Sequence, residues 1–243
     1  MSKYNCYIFD LYGTLVDIHT NETKKYLWEK MAMFYSMNGA TYDAAEFKLS
    51  YRAECKKEVE RLDNEYSEID IDRVFEELYL SKGVKADIKL IHNTEVMFRT
   101  ISTEYIKLYP GAKEMLLTLK KAGKKLVLLS NAQYSFTMPE LIMLGIRDCF
   151  DNIYISSSIG RRKPGYEFYG TMVRRESLNV QRSIMVGNDI ECDIIGAKKI
   201  GLDTFYINSN ISPKNDDIKK SPASYSCKMD KAYKKLLETL DEE

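Results

Sequence analysis

Histidine and cysteine are scarce in this 243-residue chain, and their distribution excludes several kinds of reactive site. The only histidines, His19 and His92, are too few and too far apart for a histidine metal cluster or a Ser-His-Asp triad. The five cysteines, Cys6, Cys55, Cys149, Cys192 and Cys227, are an odd and scattered set without a CxxC pair. That pattern argues against a disulfide framework or a zinc site and fits a reducing compartment. Surplus charge is missing too: Lys plus Arg and Asp plus Glu number 36 each and are interspersed, so no field singles out nucleic acid or a membrane as partner. No run of about 18 uncharged apolar residues occurs, and no basic leader precedes an apolar stretch. The expectation is a cytoplasmic protein acting on a small-molecule substrate, as monomer or homodimer.

What is present suits a folded chain: 44% of residues are hydrophobic and 30% charged, enough for one full-sized domain and a smaller companion. Tyr4 to Phe9 reads as a short buried strand that stops at Asp10, before a turn at Gly13-Thr14. From about Asn21 to Tyr109 the pattern is mostly helical. Phe47, Tyr51, Cys55, Val59 and Leu62 recur at spacings of four and three, with Thr41 as candidate N-cap, and Gly39 and Gly83 are placed to end two other helices. Trp28, Phe34 and Tyr35 read as part of this insertion's own core. After Pro110-Gly111, helices and strands alternate: strands at Lys125 to Leu129, Asn152 to Ile155, Ser183 to Val186 and Thr204 to Ile207, with helices between them. The polar run Asn208 to Ser221 reads as a loop and Lys228 to Leu240 as a closing helix. The fold class expected is α/β, a Rossmann-like parallel sheet with helices on both faces, formed by residues 1–17 and 110–243 around a helical insertion at 18–109.

Ligands of such sheets bind at the carboxyl ends of the strands. Those ends carry Asp10, then Ser130-Asn131, then Lys163-Pro164 beyond the fourth strand, then Gly187-Asn188-Asp189 with Asp193. A carboxylate can attack phosphorus or carbon and form a covalent intermediate that water hydrolyses, a role that suits Asp10. Donors at Ser130 and Asn131 suit an anionic group, and the Lys163 ammonium would offset charge gathering there. Oxygen ligands from Asp10 and the last cluster would suit magnesium. Taken singly, each has a plainer reading: Asp10 as a turn residue, Lys163 as a surface lysine, Asp193 as a helix N-cap, and Ser130 and Asn131 as shapers of a turn.

The segments FDLYGTLVD, LLSNA, KP and VGNDIECDIIGA resemble the four ordered motifs of the haloacid dehalogenase-like superfamily, over about residues 4 to 207. The insertion falls where that family carries a cap domain. The resemblance implies Asp10 as nucleophile, Thr14 and Ser130 as polar contacts in the site, and Lys163 as the cation between nucleophile and substrate anion. It also implies a magnesium site drawn from Asp10, the Tyr12 carbonyl, Asn188, Asp189 and Asp193.

Two positions depart from the phosphatase pattern. Tyr12 stands where phosphatases of the family place a second Asp as general acid/base, and Asn188 stands where they place a metal-binding Asp. A phenol with an ordinary pKa of about 10 is poorly matched to both halves of acid/base chemistry at neutral pH. The family's 2-haloacid dehalogenases share Tyr at this position, use no metal, and bind the substrate carboxylate with a cap arginine. Arg52 is the candidate for that contact here, with Arg73 and Arg99 as others. Asp189 and Asp193 weigh against dehalogenation, because uncompensated negative charge repels a haloacid and a departing halide. The preferred expectation is a magnesium-dependent phosphatase of small phosphorylated metabolites or acyl phosphates. The alternatives are a metal-independent dehalogenase and a catalytically weakened binding module.

Overall fold

A computed structural model describes residues 3–242. The first strand, β1 (Cys6–Phe9), is buried along its whole length, as a continuous apolar run at the centre of a parallel sheet should be. After a tight turn come β2 (Val16–Thr20) and four helices, α1 (Lys25–Met37), α2 (Ala44–Glu60), α3 (Ile71–Leu80) and α4 (Ile88–Ser102). Strand β3 (Thr103–Leu108) returns antiparallel to β2. The alternating half follows: α5 (Ala112–Lys121), β4 (Lys125–Ser130), α6 (Tyr134–Met143), β5 (Asn152–Ile155), α7 (Ser156–Ile159), α8 (Tyr166–Glu176) and β6 (Ser183–Gly187). A π-helical turn (Ile190–Ile195), α9 (Gly196–Lys198), β7 (Asp203–Asn208), β8 (Tyr225–Lys228) and α10 (Met229–Glu238) complete the chain.

The large sheet has the order β5-β4-β1-β6-β7-β8, and every neighbouring pair is parallel. The chain passes from β1 to β4 on one side and later to β6 on the other, so the strand order reverses beside β1 and leaves a crevice at its carboxyl end. Alternation along β1 splits the core into two layers. Tyr7 and Phe9 pack with Leu116, Leu141 and Leu236, while Cys6 and Ile8 pack with Phe168 and Met172 of α8 on the opposite face. This is the α/β architecture expected of the sequence.

The four helices of the insertion carry a separate apolar cluster, in which Trp28, Tyr35, Phe47, Tyr51, Phe75 and Phe98 are buried. Phe34 is only half-buried. Gly39 and Gly83 follow α1 and α3 with φ of 89° and 74°, the left-handed geometry that glycine tolerates best. The N-cap of α2 is Asp43 rather than Thr41: its carboxylate accepts from the Ala45 and Glu46 N–H groups at 2.9 and 2.8 Å. The stretch is mostly helical and ends in β3, which pairs with β2 in a separate two-stranded ribbon. Helix α4 runs into β3 with no glycine or proline between them, so punctuation gave no warning of the change. The polar segment Tyr225–Lys228 adds the edge strand β8 through parallel pairing with β7, another element that hydrophobic pattern did not announce.

Between α2 and α3 the chain lies against the sheet-bearing half. Ser67 forms an antiparallel bridge with Arg161, the Arg162 N–H donates to the Tyr66 carbonyl at 2.8 Å, and the Ser156 hydroxyl donates to Glu68 at 2.7 Å. Helix α4 packs against α6 and buries Glu95, whose Oε1 has no hydrogen-bond partner among the described residues. Burial, with the neighbouring Asp72 carboxyl, pushes Glu95 up to about 9. A carboxyl whose folded pKa is raised binds its proton more tightly in the folded chain, so stability falls as pH rises from about 4.5 towards 9. The Glu95→Gln variant should therefore melt above the parent protein, and the gap in Tm should widen between pH 5 and pH 8.5. A gap independent of pH would show that Glu95 does not carry a proton in the fold.

Candidate active site

The carboxyl end of β1 delivers Asp10 into the crevice, where it is 7% exposed. The turn that follows depends on Gly13: its φ is 85°, and a Cβ there would stand 2.2 Å from the Asn188 side chain. Tyr233 of α10 holds the same turn from behind by donating to the Thr14 carbonyl at 2.7 Å. The Thr14 hydroxyl lies 3.3 Å from Asp10 Oδ2 and 3.3 Å from Asn188 Oδ1, so the first and last strand-end motifs meet on one oxygen. Ser130, at the end of β4, reaches Asp10 Oδ1 at 3.5 Å.

Lys163 closes the cluster. Its ammonium, 2% exposed, donates to Asp10 Oδ1 at 2.8 Å, Asp193 Oδ1 at 2.6 Å and the Leu129 carbonyl at 2.9 Å. All three donor positions of the ammonium are thus filled. Burial pulls this lysine down, but the two carboxylates outweigh it and hold the group above its ordinary value. Asp193 lies inside the π-helical turn, not at its N-cap. Its second oxygen accepts from the Asn188 and Asp189 N–H groups at 3.0 Å each. Gly187 permits this approach, because a Cβ there would lie 2.3 Å from the Asp193 carboxylate. Burial pushes the Asp193 carboxyl up to about 7, against the pull of Lys163. The N-cap is Asp189, which accepts from the Cys192 N–H at 2.8 Å.

Asn131 spends its side chain on the scaffold: its amide donates to the Lys163 carbonyl at 2.9 Å and its oxygen accepts from the Lys163 N–H at 2.8 Å. It therefore fixes the backbone that presents the ammonium. The N–H groups of Leu11, Tyr12 and Asn131 make no hydrogen bond to another described residue, which leaves three donors at the strand ends for an anion. Cys192, with its thiol 4.0 Å from the Asn131 amide, is pushed up to about 12 by burial and the adjacent carboxylates, the opposite of an activated nucleophile. Among the described residues no group of three or more His, Cys, Asp and Glu side chains forms a metal cluster. The hard side-chain oxygens brought together at Thr14 are mixed in kind, the Asp10 carboxylate and the Asn188 amide oxygen.

Tyr12 turns its hydroxyl away from Asp10. It donates to Glu140 of α6 at 2.5 Å and lies 3.1 Å from the Thr137 hydroxyl. Burial and the Glu140 charge hold the phenol well above its ordinary value. Arg99 of α4 donates to the other Glu140 oxygen at 2.6 Å, with its guanidinium 5.6 Å from the Tyr12 ring and 5.3 Å from the Phe136 ring. A cleft of about 370 Å³ opens here, walled by Tyr12, Arg99, Asn131, Gln133, Phe136 and Thr137. Arg52, the sequence-level candidate for a substrate contact, is instead exposed on α2 and does not line this cleft. Glu140 had no signal in the sequence beyond its place on a helix.

The profile of a family described as haloacid dehalogenase-like hydrolases matches residues 4–201. The chain belongs to that family. The glyceraldehyde 3-phosphate phosphatase of Methanothermobacter thermautotrophicus is 29% identical to it over 122 residues, 50% of this chain and 54% of that protein. The match thus spans about half the length of that curated relative. Among solved structures, a haloacid dehalogenase-like phosphatase of Thermococcus onnurineus superposes with a TM-score of 0.60 at 16% identity, covering 98% of this chain and 99% of the other. A dehalogenase with its intermediate complex reaches the same TM-score of 0.60 at 19% identity, covering all of both chains. Likeness at this level is one of fold. The chain shares its fold equally with these two proteins, and fold alone does not separate their chemistries.

Replacing the ammonium tests how the cluster is held. In Lys163→Met, two buried carboxylates lose their counter-charge, which should cost about 3–5 kcal/mol at neutral pH. Urea unfolding should show a larger loss at pH 8 than at pH 5, where the Asp193 carboxyl takes up a proton. An equal loss at both would mean that packing, not charge, is what Lys163 supplies.

Proposed function

We infer that this hydrolase is a magnesium-dependent phosphatase of small phosphorylated metabolites or acyl phosphates, working through a covalent aspartyl intermediate on Asp10. The observation that carries this reading is the buried Lys163 ammonium shared between Asp10 and Asp193. An ammonium on one oxygen of Asp10 leaves the other to attack, and offsets the charge that accumulates when a phosphoryl anion meets a carboxylate. The free N–H groups of Leu11, Tyr12 and Asn131 suit the phosphoryl oxygens, and the Ser130 hydroxyl adds a further donor beside Asp10. Asp10 attacks phosphorus, the ester or acyl oxygen departs, and water then cleaves the aspartyl phosphate to release inorganic phosphate.

Magnesium fits the residues available. This hard cation commonly takes one or two carboxylates, with neutral oxygens and water completing its shell. Asp10, the Tyr12 carbonyl and Asn188 would hold it, while Asp193 is engaged by Lys163 and two N–H groups and Asp189 by its helix cap. When bound, the cation would neutralise phosphoryl charge. The helical insertion, 18–109, would act as a cap that excludes water from the first step, and its α2–α3 loop lies beside Lys163 by way of Arg161 and Arg162. No helix among the described residues is long and apolar enough to cross a membrane. The free cysteines suit a cytoplasmic setting.

The Tyr12 hydrogen bond narrows the leaving group. A phenol that gives its proton to Glu140 is not positioned to protonate an alkoxide, so substrates with leaving groups that depart as weak bases are favoured. Acetyl phosphate and p-nitrophenyl phosphate meet that condition. Both should be hydrolysed in a magnesium-dependent way, an alkyl phosphate should turn over at least tenfold more slowly, and Asp10→Asn should lose all turnover. Inertness towards both activated substrates, with halide released from 2-haloacids in chelator, would replace the phosphatase reading by dehalogenation.

A further inference from the structure

The polar loop between β7 and β8, residues 209–224, reaches back to the turn that carries the last strand-end motif. Asp216 Oδ2 accepts from the Ile190 N–H at 2.8 Å, and the Tyr206 hydroxyl of β7 lies 3.4 Å from the same oxygen. Three consecutive N–H groups are thereby held on carboxylates: Asn188 and Asp189 on Asp193, and Ile190 on Asp216. Asp193 belongs to the turn itself, so Asp216 is the carboxylate that ties this backbone to a distant part of the chain. The loop is fixed at its own start, where the Asn210 amide donates to Asp17 at 2.9 Å, and it folds so that the Asp216 N–H donates to the Pro213 carbonyl at 3.0 Å. Burial and the nearby Asp189 charge raise the Asp216 carboxyl, while the Ile190 N–H pulls the other way. The hydrogen bond thus holds the group where like-charge repulsion alone would not leave it.

We propose that Asp216 is a positioning residue for magnesium: by holding the Ile190 N–H it fixes the turn so that the Asn188 amide oxygen is presented beside Asp10 as a ligand. This rests on the magnesium-dependent phosphatase reading above. Asn188 stands two residues before Ile190, and its amide oxygen lies 3.3 Å from the same Thr14 hydroxyl that reaches Asp10. Magnesium demands near-octahedral ligand geometry, and a neutral amide oxygen has no net charge with which to draw the ion in from a displaced position. The side chain also has little room to follow a shifted backbone, since a Cβ on Gly13 would come within 2.2 Å of it. Groups that orient metal ligands without touching the ion typically change metal affinity by about 10- to 100-fold when removed.

The test is calorimetric titration of the full chain with magnesium alone, beside thermal unfolding and the magnesium dependence of p-nitrophenyl phosphate hydrolysis. Asp216→Ala should bind the ion at least tenfold more weakly than the parent protein, yet reach the parent kcat once magnesium saturates. Asp216→Asn, which loses the charge but keeps an oxygen for the Ile190 N–H, should bind close to the parent value. If Asp216→Ala does not fold, Asp216→Leu, which fills the space without an acceptor, takes its place. Equal weakening in the Asn and Ala variants would make charge, not position, the contribution of Asp216. A lowered Tm with unchanged magnesium affinity would make the contact purely structural. Either result, or a kcat that stays low at saturating magnesium, overturns the proposal and leaves the phosphatase reading standing. Failure of the parent protein to bind magnesium overturns both.

Discussion

One buried ammonium holds the reactive end of this protein together. Lys163 bridges Asp10 at the tip of β1 and Asp193 in the turn after β6, and also ties to the carbonyl at the end of β4. Three strands of the sheet therefore converge on a single nitrogen. Burying an ion pair costs desolvation that Coulomb attraction recovers only when geometry and further hydrogen bonds are good. Here they are: the second oxygen of Asp193 takes two N–H groups, and Asn131 grips the lysine backbone on both its donor and acceptor sides. Gly13 and Gly187 belong to the same constraint, since a side chain at either would strike Asn188 or Asp193.

A second polar assembly does different work. Tyr12, Glu140 and Arg99 connect the first strand-end loop, a helix of the sheet-bearing half and the last helix of the insertion. Tyr12 is a phenol whose proton is committed to Glu140. The hydroxyl and the arginine are thus fixed by one and the same carboxylate. Because Arg99 reaches Glu140 from α4, movement of the insertion away from the sheet would withdraw the guanidinium from the cleft and release the phenol together.

The sheet was legible because its strands are apolar runs cut by turn residues, and because the chemistry-bearing residues stand at their ends. Asp10, Thr14, Ser130, Lys163, Asn188 and Asp193 could be singled out from motif order, and the fold brings them into contact. Their roles were harder to read. Asp189 and Asp193 are both acids near the start of a helical turn, and only the three-dimensional path shows that the first caps it and the second faces Lys163. The ribbon β2–β3 was hidden because β3 has no buried residue to mark an apolar face and follows α4 without a break. Arg52 and Arg99 occupy similar helical patterns, so periodicity could not tell which one faces the cleft. That depended on how α4 meets α6, a packing relation with no local signature.

Charge counting at the site separates the two chemistries that the backbone shares. Asp10 and Asp193 together carry two negative charges when ionised against one on Lys163, and Asp189 adds a third from the adjoining cap. A substrate anion entering this cluster meets net repulsion unless further positive charge accompanies it. A divalent cation on Asp10, the Tyr12 carbonyl and Asn188 would offset that excess, whereas a metal-independent displacement of halide would have to proceed against it. Substitution of Asn for Asp at 188 lowers the negative charge by one without removing an oxygen ligand. Under the proposed function, a neutral oxygen at this position would hold a cation less strongly than a carboxylate would, and phosphoryl oxygens would then add to the hold.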